Sequence, residues 1–285
     1  MTISVNSKKK QVKKTFDELL MDLKTNNSEK IRYNAARMLG EMGDSQAVEP
    51  LINVLRYDKN GSVRLYAARA LGELGDSQAT IHLIDSLRND RNVDVRVRAA
   101  RALGRLGGEI VVEPLVESLN DENPQVCITS TDALIEIGDV ATDALMESLN
   151  HEKVNVRCDA TRALGEIGNK KAVDKVIKML YDEWVNVRIY AVTSLGKLND
   201  PKAVPALIDV MKNHKENELV RAGAAAALGV LRDQQALLPL RELIMEAEEL
   251  GELEDTALKS FKKIMAANWQ SIPGAAPQKK TTNAI

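Results

Sequence analysis

The sequence predicts an all-α chain built as a solenoid of stacked helix pairs, and three observations carry that prediction. Alanine and leucine dominate a composition that is 44% apolar, 28% charged and only 3% aromatic, which favours helix over sheet. One pattern recurs seven times: "IRYNAARMLGEMG" (31–43), "VRLYAARALGELG" (63–75), "VRVRAARALGRLG" (95–107), "VCITSTDALIEIG" (126–138), "VRCDATRALGEIG" (156–168), "VRIYAVTSLGKLN" (187–199) and "VRAGAAAALGVLR" (220–232). The steps between copies are 32, 32, 31, 30, 31 and 33 residues. Each unit also carries a second apolar helical pattern, as in "AVEPLINVL" (47–55), "ATIHLIDSL" (79–87) and "AVDKVIKML" (172–180). Paired helices at that period cannot bury their apolar faces alone, so neighbouring units must stack.

Taken in order, "FDELLMDLK" (16–24) reads as the first helix of a leading unit, completed by residues 28–43. Turn chemistry then punctuates every unit. Ser62, Asp94, Asn155 and Asn186 stand one residue before the valine, where an N-cap side chain accepts an orphan backbone N–H. Gly43, Gly75, Gly107, Gly138 and Gly168 close the same helix, where a left-handed residue is wanted. Pro50, Pro114 and Pro239 fall early in the other helix, where few backbone bonds are lost. "QALLPLRELIMEAEELG" and "LEDTALKSFKKIMA" read as a degenerate eighth pair, with Phe261 and Ile264 closing the apolar core. Residues 12–268 thus form a single repeat domain. A basic flexible N-terminus over 1–11 precedes it, and a polar, aperiodic, flexible tail over 269–285 follows.

On a helical wheel Val63, Ala67, Leu71 and Leu74 share one side, Tyr66, Arg69 and Glu73 the opposite one, and Arg64 lies on the flank. A partly buried arginine there needs a carboxylate. An aspartate stands six residues earlier, as Asp58 before Arg64, Asp90 before Arg96 and Asp182 before Arg188. Glu152 with Arg157 and Glu216 with Arg221 look like five-residue variants. Asn26 in the aspartate's place makes the Arg32 rung weak, and Cys127, replacing the arginine after Asp121, breaks a rung. Gly72 costs roughly 1 kcal/mol against alanine in a helix interior. Its recurrence at Gly40, Gly104, Gly165, Gly196 and Gly229 points to close approach by a neighbouring helix, with Ile135 marking the irregular unit.

The pattern V-R-x-x-A-A-x-A-L-G-x-L-G followed by D-x-x-A-V-x-x-L resembles HEAT repeats, most nearly the short HEAT-like repeats of the phycocyanobilin lyase type, over roughly residues 12 to 268. The resemblance implies a right-handed superhelix of about eight two-helix repeats, an Asp–Arg ladder between units, and a concave groove lined by the V-R helices. It specifies function poorly, because such repeats serve lyases, hydroxylases, nucleic-acid enzymes and adaptors alike.

Several classes of chemistry are not expected. The net charge of -2 gives no global reason for a nucleic-acid partner. No run approaches the roughly 20 apolar residues of a membrane helix, so no membrane partner is expected. Cys127 and Cys158 make no disulfide framework, the N-terminus lacks a secretory apolar core, and a reducing cytoplasm is the natural location. Iron-binding hydroxylases of this repeat type carry His-Glu pairs just after the V-R. Those positions here read Tyr33-Asn34, Leu65-Tyr66, Val97-Arg98, Ile128-Thr129, Cys158-Asp159, Ile189-Tyr190 and Ala222-Gly223. The dipeptide His151-Glu152 lies in a turn, and with His82 and His214 elsewhere no ligand set assembles. No metal, cofactor, catalytic residue or small-molecule substrate is therefore expected. The cysteines lack a histidine in the pattern, and the glycines form no phosphate loop.

The exposed positions of the V-R helices carry the remaining signal. Tyr66, Arg69, Arg98, Arg101 and Arg105 fall on that stripe. Arginine and tyrosine are enriched at protein-binding hot spots, so these five are the candidate partner-binding residues for a protein or acidic peptide. The competing reading is a solvated face, with Arg101 and Arg105 paired to Asp132, Glu136 and Glu73. A nucleic acid ranks third, since acidic residues follow at once. The chain thus reads as a non-enzymatic scaffold or adaptor. The alternative is an accessory subunit of a bilin lyase or a similar protein-modifying enzyme.

Overall fold

Short polar side chains and residues of positive φ mark many of the helix ends. The protein is described by a computed structural model over residues 14–246 and 251–270. The N-terminal arm expected over 1–11 lies outside those residues, as do 271–285 of the expected tail. The described residues divide into two compact units, one ending at Gly107 and the other beginning at Gly108.

Unit 1 holds α1 (Phe16–Thr25), α2 (Glu29–Met42), α3 (Val48–Tyr57), α4 (Gly61–Leu74), α5 (Thr80–Asn89) and α6 (Val93–Leu106). Unit 2 holds α7 (Val112–Glu117), α8 (Pro124–Ile137), α9 (Thr142–Ser148), α10 (Val154–Ile167), α11 (Val173–Met179), α12 (Val185–Leu198), α13 (Val204–Lys212), α14 (Glu218–Leu231), α15 (Leu237–Glu246) and α16 (Glu252–Gln270). Among the described residues these are the eight helix pairs that the periodicity predicts, three in unit 1 and five in unit 2. Within each unit the odd-numbered helices form one layer and the even-numbered helices the other, with α2, α4 and α6 packed in succession in unit 1. Leu51, Leu55, Leu71, Leu83, Leu87 and Leu103 are fully buried between the layers there. Ile264 closes the far end of unit 2 with no exposed surface.

The caps sit two residues earlier than expected. The Asn60 side chain accepts from the N–H groups of Ser62 and Val63, and Asn92, Asn123 and Asn217 cap α6, α8 and α14 in the same way. Ser62 and Asp94 therefore lie inside the first turn, because an asparagine already satisfies the orphan donors ahead of them. Asn155 and Asn186 are likewise inside α10 and α12, which follow Lys153 and Trp184 without a side-chain cap. All five expected glycines end their helices at positive φ; Gly43, Gly75 and Gly168 are left-handed, whereas Gly107 and Gly138 take extended ψ. Asn199 and Arg232 adopt the left-handed conformation where no glycine is present.

The helical glycines are a packing seam. A β-carbon on Gly72 would lie 2.7 Å from the Ala102 Cβ, and one on Gly40 would lie 2.7 Å from the Ala70 Cβ. Gly165 and Gly229 seat against Ser194 and Ser260 in the same manner. Two even-numbered helices approach so closely only where one presents no side chain.

The arginine ladder is present, but it runs forward. Arg64 places Nε and Nη2 on the two Asp90 carboxylate oxygens, both at 2.7 Å, and its Nη1 donates to the Asp58 carbonyl at 2.9 Å. Arg32 grips Asp58 at 2.7 and 3.0 Å, and Arg157 grips Asp182 at 2.8 and 3.1 Å. The expected pairing with the aspartate six residues earlier is thus corrected: that residue offers its backbone carbonyl, while the carboxylate comes from the following repeat. The Arg32 rung is accordingly complete, since Asn26 supplies a carbonyl as well as any aspartate would. Glu152 likewise lends Arg157 its carbonyl, and Glu216 pairs with Arg188 at 2.8 Å, not with Arg221, whose Nε donates to the Met211 carbonyl. At the irregular position the Cys127 thiol faces the Asp121 carbonyl at 3.3 Å and no guanidinium extends toward the next repeat.

Candidate partner-binding site

The seam at Gly72 and Ala102 fixes the distance between α4 and α6, and so what their outer faces can share. Arg69 and Glu73 stand on α4; Arg98, Arg101 and Arg105 stand on consecutive turns of α6. Together with Ala102 they wall a recess of about 130 Å³. Four of the five sequence-predicted residues therefore converge on one concavity within unit 1. The fifth, Tyr66, lies beside it, one turn before Arg69.

Charge within the recess is unbalanced. Arg69 Nε donates to Glu73 Oε1 at 2.8 Å, an ion pair between successive turns of one helix. Among the described residues no carboxylate pairs with Arg98, Arg101 or Arg105. The lateral pairing that would make this a neutral solvated face is not formed by Glu73, which is held by its own helix, and Asp132 pairs with Arg162 at 3.3 Å. Burial, then the positive charges of Arg101, Arg69 and Arg105, hold the Arg98 guanidinium below its usual range, with Tyr66 working the other way. Arg98 is half-buried, whereas Arg101 and Arg105 are exposed.

Sequence reasoning missed one neighbour. Tyr33 on α2 stacks on Tyr66 with ring centroids 5.1 Å apart and planes 19° from parallel. It stands one position before Asn34, the counterpart of Tyr66 in its own repeat, and it reaches the stripe because a phenol ring spans the gap to the next helix.

Unit 2 carries a second concavity, of about 530 Å³, lined in part by Cys127, Ile128, Cys158, Asp159, Ile189 and Tyr190. Burial and nearby Asp132 push the Asp159 carboxyl up, against the pull of Arg162. Burial, Asp159 and Asp182 push the Cys158 thiol up to about 11, and burial with Asp159 and Asp121 raises Cys127 in the same direction. Both cysteines are therefore thiols at neutral pH, the unreactive form. Among the described residues no three His, Cys, Asp or Glu side chains are placed to share a metal ion. No described helix is long and apolar enough to cross a membrane.

Comparison with known proteins agrees with this architecture. The family model for HEAT repeats matches residues 16–104, 81–153, 112–187, 142–213 and 174–262, nearly the whole chain. A search of curated protein sequences finds no match. Among solved structures, the karyopherin Kap121p bound to the extreme C-terminus of the protein phosphatase Cdc14p is similar at a TM-score of 0.66 and 15% identity over 87% of this chain. The match spans 34% of the karyopherin, about a third of its length. The complex of CpcE and CpcF of phycocyanin lyase from Nostoc is similar at a TM-score of 0.45 and 23% identity, covering 93% of this chain and 100% of that one. Human deoxyhypusine hydroxylase in complex with glycerol is similar at a TM-score of 0.40 and 22% identity, covering 88% and 96%. At 15% identity the likeness to Kap121p establishes the fold alone.

Proposed function

Because the chain belongs to the HEAT-repeat family, we propose that it is a non-enzymatic scaffold holding a protein partner on the outer face of its even-numbered helices. Tyr66, Arg69, Arg98, Arg101 and Arg105 make the contact, and the partner presents an acidic segment. One observation carries this reading: three guanidiniums crowd a recess whose one lining carboxylate, Glu73, is already taken by Arg69. A fixed cluster of like charges, one of them half-buried, is repulsive in the free protein. An acidic ligand relieves that repulsion and gains charge-assisted hydrogen bonds, often two per guanidinium. The Tyr33 and Tyr66 rings add a rigid amphipathic contact of the kind enriched at binding hot spots. Kap121p with the terminal segment of Cdc14p is a precedent for a peptide on this fold. Two free cysteines suit a reducing cytoplasm as the working location. The accessory role in a bilin lyase rests on the repeat type alone.

The test is charge reversal with quantitative affinity capture from extracts of the source cell. Replacing Arg98, Arg101 and Arg105 together with glutamate should abolish capture of the specific partner while helicity and melting stay nearly unchanged. Replacing Lys202, Lys212 and Lys215 with glutamate is the control, since all three are exposed and the ion pairs of Lys202 and Lys212 are at the surface. Equal loss in both variants would mean attraction by overall charge. Retention in both would place the binding surface elsewhere.

A further inference from the structure

Building on that site assignment, we infer that the recess walled by Arg69, Arg98, Arg101 and Arg105 takes a phosphorylated side chain of the partner, not a plain carboxylate. Charge comes first. Glu73 neutralises Arg69, which leaves three guanidiniums unmatched around one small concavity. A carboxylate brings one negative charge and two oxygens in a plane. A phosphate monoester carries about −1.5 to −2 at neutral pH and three terminal oxygens pointing in different directions.

Geometry agrees with the charge. Arg98, Arg101 and Arg105 follow one another on one face of α6, spread over two turns, and Arg69 approaches from α4. Donors arriving from several heights and two helices suit a tetrahedral group. A planar carboxylate is filled by two forks and leaves the third guanidinium repelled. A recess of about 130 Å³ admits one compact group and not an extended chain.

The surroundings argue against a polyanion. On the next helix along, α2, Arg37 is bound to Glu41 at 2.6 Å, so no unpaired arginine carries the basic patch in that direction. Single-stranded nucleic acid calls for a groove of basic residues that tracks the backbone, and an anionic bilayer for a broad basic surface. Here the unmatched positive charge is confined to one recess, bounded toward α2 by the paired Arg37 and Glu41, with a stacked tyrosine pair beside it for the adjoining chain.

The experiment titrates phenyl phosphate and benzoate into the full chain, reading arginine Nε–Hε shifts by NMR at fixed salt. Both probes carry the same ring and differ in the anion. Phenyl phosphate should bind at least tenfold more tightly than benzoate at pH 7.5, and Arg98→Glu should abolish the difference. Lowering the pH to 5.0 should weaken phenyl phosphate severalfold as its second charge is lost near pH 6, with benzoate unchanged. The groups facing the recess are Arg69, Glu73, Tyr66, Arg98, Arg101 and Arg105, with Glu41 behind Arg69. Any contribution from the two glutamates would appear equally with benzoate. Equal affinities for the two probes would overturn the inference, as would failure of both to move these shifts. Tighter binding of oligouridylate or of phosphatidylserine vesicles at the same arginines would overturn it in favour of a polyanion.

Partner capture separates this inference from the site assignment. Capture lost on arginine reversal but unaffected by phosphatase treatment of the partner keeps the site and removes the phosphate. Capture unaffected by either removes both.

Discussion

Truncating Arg64 to alanine tests the best-formed rung of the ladder. Its side chain and that of Asp90 are 9% and 8% exposed, joined by two hydrogen bonds of 2.7 Å. Removing the guanidinium strands a buried carboxylate and frees the Asp58 carbonyl. Breaking one side of a buried pair costs about 3–5 kcal/mol. Asp90 keeps one donor, the Asn92 N–H at 2.8 Å, which puts the expected loss at the lower end, about 3 kcal/mol. The assay is urea unfolding followed by far-UV circular dichroism, fitted to a nearest-neighbour repeat model because a repeat array need not unfold in one step. A double-mutant cycle adds direction: Arg64 and Asp90 should couple by about 2 kcal/mol, Arg64 and Asp58 by less than about 1 kcal/mol. Arg69→Ala, at a half-exposed pair within one helix, should cost no more than about 0.5 kcal/mol. If Arg64 couples as strongly to Asp58 as to Asp90, the forward ladder is refuted. If Arg64→Ala costs no more than Arg69→Ala, so is the division into buried and outer faces.

Gly72→Ala should lose about 1–3 kcal/mol by overpacking against Ala102, despite a gain of roughly 1 kcal/mol in helix propensity, and adding Ala102→Gly should recover most of the loss in the same urea assay. Burial alone would raise the Asp58 and Asp182 carboxyls, but hydrogen bonds from Arg32 and Arg157 and from the Asn60 and Trp184 N–H groups hold both below the ordinary range. Their stabilisation is therefore complete above the unfolded value of about 3.9 and is lost as pH falls through the folded values. Melting temperature should drop below about pH 4 and drop less in Asp182→Asn, and an unaltered acid limb in that variant would count against the rung. Cys158, with its thiol at about 11, should resist iodoacetamide at pH 7.5 in the folded chain and react on unfolding, as mass spectrometry of the labelled peptide would show.

Much of this was legible in the sequence because repetition fixes register. The stripe positions of four arginines and Tyr66 follow from the valine count alone, and the glycine seam follows from a costly residue recurring at one place. The caps were misplaced because Ser62 and Asp94 are themselves good cap formers, and only the backbone path shows that Asn60 and Asn92 act first. The ladder's direction was hidden for a related reason. An aspartate that recurs in most units gives an arginine such as Arg64 two candidates, one six residues behind and one 26 ahead, and separation along the chain favours the wrong one. The uncompensated charge on Arg98 and its neighbours was out of reach as well. Whether Glu73 turns to Arg69 or across to the next helix is decided by its rotamer, which the pattern of residue types does not encode.

The substitutions at Cys127 and Ile135 bear on how unit 2 comes apart. Within unit 2, α10 and α12 each hold their successor by a guanidinium paired with the next repeat and by a glycine facing it; α8 offers α10 neither, and the two pack less extensively than α10 and α12 do. Thr129 and Thr131 also turn their hydroxyls back onto the Gln125 and Cys127 carbonyls, an arrangement that loosens a helix slightly and that α10 and α12 each carry only once, at Thr161 and Thr193. In a linear array cooperativity travels only as far as the weakest junction. The amides of α7 and α8 should then exchange with solvent as one block, ahead of the block from α10 to α14. Under load unit 2 yields first at that joint, and the stack beyond it stays folded.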